Sequence, residues 1–128
     1  FHVNAANLYR VPVTSTVSLG SSETSAANHP AVGPTMKAEF PEVIDFARLV
    51  HSAIRLNGSM VSNIDEKGNK NIYNEPRIYF ADPGFLTMFS FSLVEGNATT
   101  ALADGHSIVI SESTAAKYFS KETADKKR

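Results

Sequence analysis

The chain has 128 residues, 42% hydrophobic and 20% charged, the make-up of one globular domain, which excludes disordered and fibrous classes. Twelve Lys+Arg against thirteen Asp+Glu give a formal net charge of −1. The only basic cluster, Lys126-Lys127-Arg128, is too short for a nucleic-acid footprint. No apolar run approaches the ~18 residues of a membrane span, and the absence of cysteine removes disulfides, thiolate metal sites and Cys nucleophiles.

The first residue is Phe1, with no charged and apolar leader after it, so the chain reads as an excised piece of a longer protein. Tyr9, Val11, Val13, Ser15, Val17 and Leu19 alternate with Arg10, Thr14, Thr16 and Ser18, which predicts a long half-buried strand with Pro12 near its start. Gly20 to Ser25 reads as a polar loop or a loosely held strand end. A first helix is expected to start around Pro30 to Pro34. It would present Val32, Met36 and Phe40 on one face and end at Phe40-Pro41, because the residue before proline avoids the α region.

Phe46, Val50, Ile54 and Leu56 predict a second long strand. Met60-Val61 and Ile64 suggest a short strand, and Asp65-Glu66-Lys67-Gly68 has hairpin-turn chemistry with Gly68 free to take a positive φ. Ile72-Tyr73 and Arg77 to Phe80 form the returning strand, broken at Pro76, so residues 44–80 read as a protruding antiparallel meander. Asp82-Pro83 predicts a capped helix start, followed by Phe85, Met88 and Phe89 on one apolar face. Leu93-Val94 is expected as a short strand closed by Gly96, and Thr99 to Ala103 as a helical turn. Ile108-Val109-Ile110, apolar on both faces, predicts a central, doubly covered strand. Ser111 caps a last helix with Glu112 in its first turn and Ala115, Tyr118 and Phe119 on its inner face. Strands and helices interleave without a regular βαβ repeat, which predicts an α+β domain: a mixed, mostly antiparallel sheet with short helices packed on it.

Chemistry finds little purchase. His2, His29, His51 and His106 lie far apart with no metal-binding spacing. His51, opposite Val50, is expected on a solvated face, and His106 belongs to the Asp104-Gly105 turn. No G-x-S-x-G elbow, P-loop or G-x-G-x-x-G occurs, and Glu39, Glu42, Asp82 and Glu112 sit at helix ends rather than as an acid–base pair. Two N-x-S/T sequons, at Asn57 and Asn97, matter only in a eukaryotic secretory host. The dense aromatic set Phe80, Phe85, Phe89 and Phe91 reads as core packing. No catalytic, cofactor-binding or metal-ligating residue is assigned, and no cofactor is expected. The exposed apolar residues Met60, Val61 and Ile64 at the meander tip are the candidate interaction edge.

Phe1-His2, Asn7 to Val11, Ala31 to Val43, Arg48-Leu49 and Tyr79 to Phe91, taken in order and spacing, resemble the periplasmic core domain of MacB/FtsX-type ABC transporter permeases. The resemblance is most specific in the run Tyr79 to Phe91. Leu93 to Asn97, Thr100-Ala101-Leu102 and Ser107 to Phe119 complete it, so that it covers nearly the whole chain. After Lys117-Tyr118-Phe119 the family shows an acidic residue, Pro, a hydrophobic residue, Gly and Lys. This chain has Glu122-Thr123-Ala124-Asp125-Lys126 there. Residues 1–128 are therefore expected to be a single extracytoplasmic domain, either the first part of the periplasmic core or a shortened version of it. A missing strand would leave an open sheet edge that a second copy can close.

The resemblance implies a non-catalytic part of an inner-membrane permease, with this domain in the periplasm. Its partners would be the rest of the permease chain with its transmembrane helices, a cytoplasmic ABC ATPase and a second permease copy, with no nucleic acid. It would couple ATP-driven movement to efflux, export or regulation of a partner. The alternative reading is a free periplasmic or secreted module that binds a ligand or a protein.

Overall fold

Helices and strands interleave along the chain, and every pair of neighbouring strands is antiparallel. The computed structural model describes residues 2–17, 20–54, 59–64 and 67–119. The architecture is α+β, as the sequence predicts. The sheet is divided into three two-stranded ladders: β1 (Val13–Val17) with β2 (Ser21–Ser25), β3 (Leu49–His51) with β6 (Tyr79–Ala81), and β4 (Met60–Ile64) with β5 (Lys70–Asn74).

The polar segment after Gly20 is thus a full strand. Gly20, at φ +79°, turns the chain, and Thr14 pairs with Thr24, their hydroxyls 2.9 Å apart. No described element covers this hairpin, so residues 13–16 and all of β2 are exposed, and the half-buried pattern expected of β1 is not realised among the described residues. Leu19 lies outside the described residues.

Helix α1 (Val32–Glu39) occupies the predicted place, with Pro34 in the first turn, where it sacrifices no helical hydrogen bond. Val32 and Met36 are half-buried, whereas Phe40 is extended and exposed. The helix lies against the segment before β3. A Cβ on Gly33 would stand 2.5 Å from the Phe46 ring, so only glycine permits this approach. Lys37 pairs with Asp45 at 2.7 Å, and the Arg48 guanidinium lies over the Phe46 ring, 5.4 Å from its centroid.

The second long strand is confined to β3. Ser52–Ile54 turns into a single 3-10 turn, leaving Ile54 exposed, and Leu56 lies outside the described residues. The pairing within residues 44–80 is nested: β3 and β6 close around the β4–β5 hairpin, whose turn carries Gly68 at φ +81°. Asp65 and Glu66 of that turn lie outside the described residues.

Helix α2 (Phe85–Met88) ends in a paired turn in which Phe91 N donates to Leu86 O (2.8 Å) and Ser90 N to Thr87 O (3.1 Å). Ser90 takes the left-handed position usually held by glycine, at φ 55°. Phe85 packs on Phe89 and Phe91 with ring centroids 4.9 and 5.8 Å apart, and His2 meets Phe89 and Phe91 edge-on. Three of the four aromatics expected in the core thus cluster, but Phe91 as well as Phe80 is exposed. Leu86 is the one buried hydrophobic side chain among the described residues.

Leu93-Val94 forms no strand, and Thr99 to Ala103 is a series of turns begun by Asn97, whose Oδ1 accepts from Thr99 N and Oγ1. Ile108-Val109-Ile110 belongs to no strand and is exposed, so the central covered strand expected there is not formed among the described residues. Helix α3 (Glu112–Tyr118) starts as predicted, with Ser111 Oγ accepting from Thr114 N at 3.2 Å. No helix among the described residues is long and apolar enough to cross a membrane.

Candidate interaction surface

The β4–β5 hairpin has two unlike faces, because side chains alternate along a strand. Val61, Asn63, Asn71 and Tyr73 form the half-buried inner face, and Met60, Ser62, Ile64, Lys70, Ile72 and Asn74 the exposed outer one. The registers Met60↔Asn74, Ser62↔Ile72 and Ile64↔Lys70 set Ile72 diagonally between Met60 and Ile64, so three apolar side chains make one outward stripe. A shallow recess of about 200 Å³ runs along Met60, Val61, Ser62, Lys70 and Ile72. Of the predicted edge residues, Met60 and Ile64 lie on this outer stripe, whereas Val61 points the other way.

The inner face is anchored to α3. The Tyr73 and Tyr118 rings lie 4.4 Å apart, Asn63 Nδ2 donates to Tyr118 O at 3.0 Å, and Tyr118 Oη donates to Glu75 Oε1 at 2.5 Å. Lys117 pairs with the same Glu75 carboxylate and lies over both tyrosine rings, 5.1 and 5.4 Å from their centroids. Lys117, and Tyr118 after it, hold the Glu75 carboxyl below its ordinary range. Burial, reinforced by Glu75, pushes the Tyr118 hydroxyl up to about 12. At the hairpin base, the hydroxyls of buried Ser52 and Ser59 meet at 2.5 Å, and Glu75 N donates to Ser59 O at 2.7 Å. Nothing local in the sequence singles out Ser52, Ser59 or Glu75, since each acquires its role from a partner across the hairpin.

A stability–pH relation follows from Glu75. Its pKa is lowered in the folded state, so its contribution is present above the unfolded value of 4.5 and is lost as pH falls through the folded value. Glu75→Gln is expected to speed amide hydrogen exchange in α3 at neutral pH and to flatten the acid dependence of that exchange below about pH 4.5. Exchange that keeps the wild-type acid dependence would show that the ion pair does not hold the helix.

The histidines do not converge. His51 is half-buried, edge-on to Tyr79 at 4.8 Å, rather than on a solvated face, because β6 lays Tyr79 opposite it. His29 accepts from Ala31 N, and His106 receives its backbone and ring contacts from Asp104, as the turn reading expects. Among the described residues, no three His, Asp or Glu side chains are grouped so as to hold a metal ion. Asp82 does not cap α2. Its carboxylate instead takes Arg48 N, Nε and Nη2 at 2.8, 2.9 and 2.7 Å.

A family model, the MacB-like periplasmic core domain, matches residues 1–127. The chain belongs to the MacB-like periplasmic core domain family. Neither a curated protein nor a solved structure matches it significantly. Membership makes this MacB-like domain the periplasmic domain of an ABC transporter permease, a family not known as catalytic whose members work with ATPase partners. The exposed hairpin stripe is backed by α3 on the opposite face of the hairpin.

Proposed function

We propose that residues 1–128 act as one non-catalytic extracytoplasmic unit that couples ATP-driven movement to export or to regulation of an envelope partner. In this reading a cytoplasmic ABC ATPase moves the transmembrane helices of the permease in the inner membrane, and the domain carries that movement outward. The observation that carries the reading is the two-faced hairpin. Its inner face is fixed to α3 by Asn63, Tyr73 and Glu75, while Met60, Ile64 and Ile72 stay exposed. A held lever with an apolar outer surface can transmit displacement and meet a cargo or partner without performing chemistry.

The test uses the full-length permease with its ATPase. Met60→Asp combined with Ile72→Asp is expected to cut complementation of a permease-null strain by about tenfold or more, the cost of losing apolar anchors at an interface. ATP hydrolysis by the purified complex should remain at the wild-type level. Full complementation, or a parallel loss of hydrolysis, would refute a transmitting role for the hairpin.

A further inference from the structure

Of the four tyrosines in the sequence, Tyr73 and Tyr118 are the two whose rings meet. The centroids lie 4.4 Å apart at a tilt of 54°, so carbons of the two rings touch where the β4–β5 hairpin joins α3. Both side chains are half-buried, within reach of a small solute. Tyr79 packs against the His51 ring instead, and Tyr9 is 85% exposed. Tyr118 also carries a base on its hydroxyl, since its Oη donates to Glu75 Oε1 at 2.5 Å and Lys117 keeps that carboxylate ionised.

A phenol gives up one electron far more readily when its proton leaves with the electron, because no phenol cation then has to form. Glu75 is placed to take that proton, within hydrogen-bond reach and already aligned on it. Lys117 lies over both rings, but its charge is matched by the carboxylate it pairs with. The chain has neither Trp nor Cys, the side chains that compete most strongly with tyrosine for a one-electron oxidant.

We propose that Tyr73 and Tyr118 form a modification site, at which a small one-electron oxidant joins the two rings through a carbon–carbon bond and welds the hairpin to α3. Tyr118 loses an electron to the oxidant and its phenolic proton to Glu75. Tyr73 loses an electron to a second equivalent of oxidant and its proton to water. The two phenoxyl radicals couple at ring carbons ortho to their oxygens, and the hydrogens on those carbons move to the oxygens as the rings regain aromaticity. One carbon–carbon bond forms, two protons and two electrons leave, and two equivalents of oxidant are reduced. Because the rings already touch, coupling is intramolecular and outruns encounters with other tyrosines. The inference stands apart from the coupling reading, since its readout is a covalent bond and not transport.

The test is brief photo-oxidation of the purified full-length permease with tris(bipyridyl)ruthenium and persulfate, followed by tryptic digestion and mass spectrometry. Residues 71–77 should appear joined to residues 118–121, at the summed mass of the two peptides less two hydrogens. The yield should exceed that from the denatured protein by about tenfold or more, the advantage of partners held in contact. Tyr73→Phe keeps the ring but cannot form a phenoxyl radical, and should abolish the joined peptide. Absence of that peptide from the wild type, an equal yield after denaturation, or a major product joining either tyrosine to a different one would each overturn the proposal.

Discussion

Replacing Leu86 with alanine should destabilise the domain by about 2–5 kcal/mol and lower its melting temperature by about 10 °C or more. At 7% exposure, Leu86 is the one hydrophobic side chain among the described residues that is buried. It sits in the middle of α2, and the same residue's carbonyl accepts the Phe91 N–H that folds the chain back over the helix. Removing three carbons there costs transfer free energy and leaves a cavity that four-residue α2 has little freedom to close. The accessible surface of 10583 Å², against roughly 6,700 Å² for a compact monomer of this mass, means few other apolar contacts can compensate. Thermal unfolding followed by circular dichroism checks this, with Leu102→Ala as a half-buried comparison. Equal melting temperatures for the two variants would show that the enclosure of Leu86 is not what holds this region.

The second large effect is expected at Asp82. Its carboxylate accepts from Arg48 N, Nε and Nη2, and its own N–H donates to Arg48 O at 3.2 Å, extending the β3–β6 ladder by one position. Arg48 Nη1 reaches on to Pro30 O at 2.8 Å, so the pair also ties the start of α1 to the strands. Asp82→Ala is expected to cost about 1 kcal/mol, a value reduced for the solvent that reaches this pair. Arg48 holds the Asp82 carboxyl below its ordinary range. With a lowered folded pKa, the stabilisation is present above the unfolded value of 3.8 and disappears as pH falls through the folded one. Wild-type stability should therefore decline below about pH 4 more steeply than that of Asp82→Ala, measured by urea unfolding across pH. Parallel pH profiles would show that the carboxylate does not carry the pairing.

Local signals proved readable wherever a segment's fate is decided by its neighbours in sequence. Pro34 and Phe40-Pro41 bracket α1, Ser111 caps α3 with its own hydroxyl, and the alternation at Met60 to Ile64 makes a strand. The errors fall where a distant partner decides. Asp82-Pro83 has the form of a helix cap, yet Arg48, 34 residues earlier, offers the carboxylate several charge-assisted or backbone donors. Ser21 to Ser25 carries no apolar signal and becomes a strand because β1 folds back on it through Gly20. Ile108-Val109-Ile110 has the composition of a covered strand, but composition does not supply the neighbour that would cover it. At the candidate interaction surface, Met60 and Ile64, two of the three residues of the outer stripe, are legible in the sequence. The anchor made by Glu75, Lys117 and Tyr118 joins residues more than 40 apart and left no local trace.

The nesting of β4–β5 inside β3–β6 separates the hairpin's length from everything around it. The chain departs after Ser52 and returns at Ile78, and those two residues are already bonded through Ser52 N and Ile78 O at 2.9 Å. Residues inserted near the Gly68 turn would leave that bond and the β3–β6 register untouched. Doubling an excursion of this kind costs only about 0.6 kcal/mol in closure entropy, while each residue added to both strands extends the tip by about 3.3 Å. How far the domain reaches from its base can thus be tuned at one turn, with the rest of the fold as a fixed mount.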